Sequence, residues 1–403
     1  MSLRGANRAL ALGAGALGLV TAIVSCVDLD SLGAGGTRPL DAGADPDADP
    51  GVPDPCEHVA PPARSGQASA GTDLPDFELA LARLDLDPVA GPGFDLDGVC
   101  TCDGRTGSAR GGASSCARPA GAAPDCDLDG GADNALGRLE RENLPTATLA
   151  NTVNTTIRLG RGTLLLSISK YNGLADDDEV FVGALVGVGL REKGCPDSGL
   201  TSDGGTWTPG NCGGDTWTVS DDSFVVSGGQ RRFPVVVASG YVRGFQLVAR
   251  FQNDVVRVPF NDATDISLSD SVLSVTLVPL AADLSPRDPA RPPTEAEKRL
   301  WRGDDGLLAG RLASERVLEN LGSVDTAGGR LCTTAVFPTV RTQVCTSLDI
   351  AAAGAPATAP CDGLSGAARL TLAPARAGDA GGPRVNFKGC DDARARGDLR
   401  CTP

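Results

Sequence analysis

The sequence has a single histidine, His58, and only four lysines among its 36 basic residues. A Ser-His-Asp, Cys-His or His-ligated metal centre needs histidine in a folded site. Because His58 stands in a stretch rich in Pro, Ala and Asp, we expect none of these centres. The net charge of −15 repels phosphate backbones. We therefore expect no nucleic-acid partner and no nucleotide or haem cofactor.

The first 25 residues have the layout of a lipoprotein signal peptide. Arg4 and Arg8 precede an apolar run, 9–24, that is long enough for a signal peptide and short for a membrane span. Ile23 lies three positions before Cys26, and the small Ser25 lies directly before it. This spacing predicts cleavage before Cys26 and lipid on its sulfur. An ordinary secretory signal or a buried helix is the alternative.

The cysteine count supports export to an oxidising compartment. Of the 13 cysteines, removal of Cys26 leaves an even number that can close completely as disulfides. Val27 after the acylated residue favours the bacterial outer membrane, so we predict an extracytoplasmic, lipid-anchored protein at the outer membrane or cell surface. Sequence proximity favours the pairs Cys195–Cys212 and Cys332–Cys345. The disulfide candidates are Cys56, Cys100, Cys102, Cys116, Cys126, Cys195, Cys212, Cys332, Cys345, Cys361, Cys390 and Cys401.

Composition divides the chain into segments. A stretch of Pro, Ala, Asp and Gly follows the signal and cannot bury enough apolar surface to offset the entropy of ordering, so it predicts an extended acidic tether. The predicted segments are a lipoprotein signal peptide (1–25), an acidic tether (26–90), a Cys- and Asp-rich segment (91–145), a β core (146–280), a connector (281–298) and a Cys-containing, partly helical C-terminal region (299–403).

Short alternating runs of Val, Ile, Leu and Thr dominate residues 155–278. Leu164, Leu166 and Ile168 share one face of a strand, because side chains alternate along an extended backbone. Many strands at short spacing predict a mainly β fold with a β-sandwich or jelly-roll core. One helix is predicted, from Ser314 to Leu321, with Ser314 as its N-cap. The further strand candidates are 180–190, 224–226, 233–238, 241–251 and 255–260.

The strongest local motif has carboxylates at alternate positions of residues 125–133, followed by glycine. Such a loop can wrap a Ca²⁺ ion, which takes six to eight oxygen ligands. The motif resembles the calcium loops of EF-hand, dockerin and thrombospondin type 3 repeats. The resemblance implies side-chain ligands at Asp125, Asp127, Asp129 and Asp133 and a backbone carbonyl at Gly131.

The motif departs from an EF-hand at its twelfth position, where Leu136 stands in place of a bidentate Glu. The Asp-Leu-Asp-Gly phrase of residues 127–130 also occurs at 95–98. Asp95 and Asp97 are therefore expected either to share an ion or to bind none. A solvated acidic turn is the alternative at both places.

An acidic turn between two predicted strands is a further candidate for ligand binding. It follows Tyr171-Asn172-Gly173, and its adjacent carboxylates must either face water or meet a cation. The candidate residues are Asp176, Asp177 and Asp178.

Two tryptophans flank Cys212 in a loop rich in Gly and Thr. Trp207 and Trp217 would stack on sugar faces if their rings were exposed, because a ring supplies flat apolar area at low entropic cost. Core packing of both rings is the alternative.

Several phrases occur together with the lipobox and the Asp/Pro tether: Phe-Asp-Leu-Asp-Gly-Val-Cys-Thr-Cys at 94–102, Asp-Asn-Ala-Leu at 133–136, Tyr-Asn-Gly at 171–173 and Asp-Thr-Trp at 215–217. In this organisation the chain resembles a group of cell-surface lipoproteins typical of myxobacteria. The resemblance covers most of the mature chain and implies a localisation and an architecture, but no activity.

Together these features favour a non-enzymatic lipoprotein. Its disulfide-bonded β domain would hold calcium and bind extracellular glycan, matrix or a surface protein, or serve as a structural component of the envelope. The alternative is a carboxylate-dependent glycan hydrolase on a jelly-roll scaffold, which needs only two acidic residues across a cleft. The chain has ten Glu, so acid-base chemistry would fall mainly to Asp.

Overall fold

The computed structural model describes residues 58–66, 71–86, 92–101, 115–119, 122, 126–143, 148–192, 214–227, 230–261, 264–382 and 390–401. The predicted signal peptide and the tether up to residue 57 lie outside the described residues. So do Cys26, Cys56, Cys102, Asp125, Cys195, Trp207 and Cys212, and what the sequence predicts for them stays a prediction.

The described residues form thirteen strands and five α-helices. The strands are β1 (Phe77–Asp85), β2 (Thr163–Ser169), β3 (Asp177–Glu192), β4 (Asp215–Val219), β5 (Phe224–Ser227), β6 (Gln230–Pro234), β7 (Val236–Arg243), β8 (Gln246–Pro259), β9 (Asp265–Pro279), β10 (Trp301–Ala313), β11 (Asp325–Thr326), β12 (Gly329–Arg330) and β13 (Gly363–Ala380). The helices are α1 (Ala135–Asn143), α2 (Thr148–Arg158), α3 (Ser314–Gly322), α4 (Phe337–Thr346) and α5 (Asp391–Ala395).

Eight of these strands close into an antiparallel barrel, so the predicted sandwich or jelly-roll is wrong. Their order is β1-β2-β3-β7-β8-β9-β10-β13, and β13 pairs back onto β1. Alternation with a period of two predicts strands, but it is the same in a sandwich and in a barrel. Closure depends on β1, which lies inside the predicted tether, and on β10 and β13, which lie in the predicted C-terminal region.

Apolar side chains paired across neighbouring strands fill the barrel. Leu79 stands opposite Leu166, and Leu166 stands opposite Ala184 on the next strand. All three are buried, and full burial of one leucine contributes roughly 1.5–3 kcal/mol. A Cβ at Gly303 would lie 2.7 Å from Cγ2 of Val275, so glycine lets β10 approach the filled interior.

Helix α2 closes one end of the barrel and three aromatic rings close the other. The Thr156 hydroxyl on α2 donates to the Phe260 carbonyl just after β8, at 2.9 Å. At the far end the rings of Phe77 and Trp301 stack with centroids 5.8 Å apart, and Tyr171 meets Trp301 edge-on at 5.2 Å. Helix α2 and the three rings thereby cover both ends of the barrel.

Strand β4 adds a second layer outside the barrel. It pairs parallel with β13 and antiparallel with β3. Trp217 on this strand is 0% exposed and packs with Leu165 and Leu185 in a separate small core. Trp217 is therefore a core residue, which was the alternative to sugar stacking.

The predicted helix is confirmed as α3, although its N-cap position is Ala313 and no side chain caps it. Helices α1 and α2 were not predicted. In α2 a buried face is formed by Leu149, Val153 and Ile157, but the Thr and Asn residues between them have low helix propensity. Packing on β1 outweighs that preference. None of the helices in the described part of the chain is both long and apolar enough to cross a membrane.

Disulfide bonding is confirmed, but the pairing predicted from proximity is not. The bonds between described residues are Cys116–Cys361, Cys332–Cys390 and Cys345–Cys401. The predicted pair Cys332–Cys345 is wrong because the segment 390–401 folds back beside α3 and α4 and supplies both partners. Cys126 is also disulfide-bonded.

Candidate functional site

Two acidic loops, 92–101 and 126–134, lie together on the outer wall of the barrel. Phe94 of the first loop is buried in a small apolar cluster with Ala309 and Ala367, which belong to β10 and β13. This contact holds the first loop against the strands, on the side of the wall that faces away from the filled interior.

Asn134 fixes the second loop to both the barrel and the first loop. Its side-chain amide donates to the Pro92 carbonyl at 2.9 Å, and its oxygen accepts from the Ala367 backbone at 3.2 Å. The neighbouring backbone N–H of Asp133 donates to the Phe94 carbonyl at 3.0 Å. These hydrogen bonds hold the two loops together, and the carboxylates of the loops face one another.

Three carboxylates converge where the loops meet. Asp95, Asp97 and Asp133 each offer an oxygen, and these oxygens lie within 4.8 Å of one another. The Asp95 side chain is 4% exposed and Asp133 is 3% exposed. Such a buried acidic group is costly unless a cation or protons neutralise it.

The pKa values of these carboxyls show the cost. Burial raises the pKa of Asp133 to about 9, and the charges of Asp97 and Asp127 add to the rise. Burial also raises the pKa of Asp127 to about 7, against the lowering effect of a hydrogen bond from the Thr101 backbone. The pKa of Asp97 is raised mainly by burial as well. All three raised pKa values mean that too few positive groups or hydrogen-bond donors stabilise the charged carboxylates.

A fifth carboxylate comes from a distant part of the chain. Asp349 accepts from the Ser365 backbone at 2.8 Å, and burial raises its pKa to about 6 although Arg138 and Arg118 lower it. Among the described residues, these two arginines lie near a group of five carboxylates. We call Asp95, Asp97, Asp127, Asp133 and Asp349 the acidic cluster.

The converging ligands come from two loops and not from one. Asp129, in the middle of the predicted calcium loop, is exposed and lies outside the groups of converging ligands found among the described residues. Gly131 has a φ of +78° and stands over Cys100, whose Sγ would be 2.6 Å from an added Cβ. This close approach bends the second loop so that Asp133 turns toward the first.

His58 falls within the predicted tether, yet it lies at this site. Its Nδ1 contacts Oδ2 of Asp95, and His58, Asp95 and Cys100 form a second group whose potential ligand atoms are mutually close. The next residue, Val59, donates to the Gly130 carbonyl and accepts from the Asp95 backbone, each at 2.9 Å. Residues 58–59 are thereby clamped between the two acidic loops.

The acidic turn at Asp176, Asp177 and Asp178 has partners within the chain. Asp176 pairs with Arg243 at 3.0 Å and Asp178 accepts from the Ser65 hydroxyl at 2.8 Å. The buried Asp177 accepts from the Asn172 backbone at 2.8 Å. These contacts favour a structural role for the turn and set it apart from the acidic cluster.

The five carboxylates of the acidic cluster offer oxygen ligands and an excess of negative charge, which is the chemistry of a hard divalent cation site, while the neighbouring His58 and Cys100 carry nitrogen and sulfur. The sequence pointed to four of its five carboxylates through the repeated Asp-Leu-Asp-Gly phrase and the motif ending at Asp133. Asp349 carries no such local signal. The chain matches no known protein family, no curated protein and no solved structure.

Proposed function

We propose that this protein is a lipid-anchored, extracytoplasmic, non-enzymatic surface protein whose barrel carries a calcium site. It acts in binding extracellular glycan or matrix, or as a structural component of the envelope. The observation that carries the proposal is the convergence of Asp95, Asp97 and Asp133 in a partly buried place on the barrel wall.

Calcium suits this site better than a softer metal. Three carboxylates supply three to six oxygens, and Ca²⁺ takes six to eight ligands with flexible geometry, so water or backbone oxygens would complete the shell. Asp127 and Asp349 lie close enough to raise the pKa of Asp133 and add to the field that attracts the ion. A bound ion would therefore remove the repulsion between the loops and hold them together.

Three features support the proposed extracytoplasmic localisation: the lipobox at Cys26, the acidic tether and the disulfides. Disulfides persist in oxidising compartments outside the cytoplasm, and the bonds Cys116–Cys361, Cys332–Cys390 and Cys345–Cys401 agree with that setting. The tether would give the barrel reach from the membrane.

Calorimetric titration of the EDTA-treated mature protein with CaCl₂ tests the calcium site. We expect a saturable heat that Asp133→Asn abolishes and that Asp129→Asn leaves unchanged, because Asp129 is exposed and outside the converging group. Absence of heat, together with equal melting temperatures in EDTA and in millimolar Ca²⁺, would contradict the proposal.

Metabolic labelling with a palmitate analogue tests the anchor. The wild-type chain should take up label and partition into membranes, and Cys26→Ala should do neither. An unlabelled wild-type chain that keeps its N-terminal methionine would overturn the predicted lipid anchor and localisation. Release of reducing sugar from polysaccharides by the purified protein would instead favour the hydrolase alternative.

A further inference from the structure

A cavity of about 210 Å³ opens beside the acidic cluster. Its wall includes Asp97, so this carboxylate belongs both to the converging group and to the cavity. Asp270 and Arg311 also line it, and small apolar residues at 351–355 form much of the remainder. The cavity thus combines charged groups of both signs with a narrow apolar surface.

A β-bulge places Asp270 at this cavity. Between the pairs Ala309–Val272 and Arg311–Ser269, β9 has one residue more than β10. Asp270 lies in that bulge with a φ of +48°, in the left-handed region that few residues other than glycine adopt. Bulges re-aim side chains next to functional sites, and backbone strain concentrates there.

Arg311 has an unused hydrogen-bond donor. Its Nη2 donates to Asp362 at 2.5 Å, and its side chain is 11% exposed. Its Nε is buried and has no hydrogen-bond partner within the described part of the chain. This nitrogen is closed to solvent, so a ligand in the cavity would meet another part of the Arg311 side chain, which lines the cavity wall.

The charges and the size select the ligand. Asp97 and Asp270 face the cavity, and the charge of Arg311 is already paired with Asp362, so an anion would be repelled. The volume is below the roughly 300–1,000 Å³ of pockets for drug-sized ligands, so one ring fits and an oligosaccharide does not. A sugar ring offers hydroxyls that both donate to carboxylates and accept from a guanidinium.

We propose that this cavity is a subsite for a single neutral sugar ring, which sits beside the calcium ion and supplies hydroxyl oxygens to its ligand shell. Asp97 is the shared residue, and Asp270 and Arg311 hydrogen-bond the remaining hydroxyls. The inference rests on the proposed calcium site and deepens the proposed glycan binding by assigning the place where the glycan binds.

Saturation-transfer NMR on the mature protein tests the subsite, with the methyl glycosides of mannose, galactose, glucose, fucose and N-acetylglucosamine as probes. At least one should bind in Ca²⁺ and at least tenfold more weakly in EDTA. Asp270→Asn should weaken that binding at least tenfold, because Asn tolerates the left-handed backbone and the bulge is kept. Asp305→Asn is the matched control, since Asp305 also has a φ of +48° but does not line the cavity.

The outcomes separate this inference from the proposal beneath it. A calcium heat without binding of any of the five glycosides would overturn the subsite and leave the calcium site standing. Equal sugar binding in EDTA, or in Asp270→Asn with an unchanged melting temperature, would also overturn it. Absence of a calcium heat would refute the calcium site itself, and the inference would fall with it.

Discussion

The barrel interior is buried and the acidic cluster on its outer wall is largely buried, but only the interior is balanced by contacts within the chain. Leu79, Leu166 and Ala184 satisfy one another by apolar contact and need no partner from outside the chain. Among the described residues, the carboxylates of the acidic cluster outnumber the nearby arginines, and the raised pKa values of Asp127 and Asp133 show that negative charge is in excess there. We therefore expect the barrel to fold without an ion, and we propose that the outer loops depend on one.

The largest effect on stability is expected when a leucine that fills the barrel interior is truncated. Leu166→Ala should lower the free energy of unfolding by roughly 2–5 kcal/mol, because the lost contacts and the void both cost. Urea denaturation in EDTA and in Ca²⁺ measures it, and the loss should be the same in both. Leu159→Ala is the control, since Leu159 is 56% exposed and should change stability little.

The effect of Asp133→Asn on the melting temperature should have opposite signs in EDTA and in Ca²⁺. In EDTA near neutral pH the variant should melt above the wild type, because Asp133, with its pKa raised to about 9, must take up a proton on folding, whereas Asn is neutral already and can keep the hydrogen bond from the Leu96 backbone. In saturating Ca²⁺ it should melt below, because an ion present at a hundred times its Kd stabilises the wild type by about 2.7 kcal/mol. A variant less stable than the wild type in EDTA would show that the carboxylate is balanced within the chain.

The pH dependence of stability should also differ between EDTA and Ca²⁺. The pKa of Asp133 is raised to about 9 and that of Asp127 to about 7, both above their values in the unfolded chain. Their protons are therefore held more tightly in the folded state. Stability in EDTA should be highest near pH 4 and should be lost as pH rises to about 9. Saturating Ca²⁺ should flatten this slope, and chemical denaturation across the range measures both curves.

The smallest effect is expected at the clamped end of the tether. The Val59 amide donates to the Gly130 carbonyl, so separation of the acidic loops in EDTA should raise its hydrogen-exchange rate several-fold. The Leu74 amide, which donates to the Tyr171 carbonyl at 2.7 Å at the aromatic end of the barrel, is the internal control and should not respond. Equal acceleration at both amides would point to loosening of the whole fold.

The sequence predicted strands well where both partners were local. Residues 180–190 lie within β3, but 241–251 spans a turn, because Arg243 ends β7 and Gln246 begins β8. Strand β1 falls within the predicted tether, because its neighbours in sequence are Pro- and Asp-rich. Only its pairing with β13 and β2 reveals it as part of the barrel.

The part of the acidic cluster that is encoded in short local motifs was also predictable. The motif around Asp127 and Asp133 and its echo at Asp95 and Asp97 are local, and the carboxylates they mark do meet. Asp349 lies far along the chain, and His58 stands in a segment that reads as tether. No spacing rule connects either residue to the loops, so only the folded chain brings them there.

The sequence by itself determined the mainly β class, the presence of disulfides, the helix at Ser314 and the type of oxygen ligand gathered in the acidic loops, since each follows from composition or from short-range periodicity. The tertiary structure alone decided that the sheet closes, which cysteines pair and which carboxylates face one another. These depend on contacts such as β1 with β13 and Cys116 with Cys361. Contacts between residues so distant in sequence leave no periodic trace in the residues themselves.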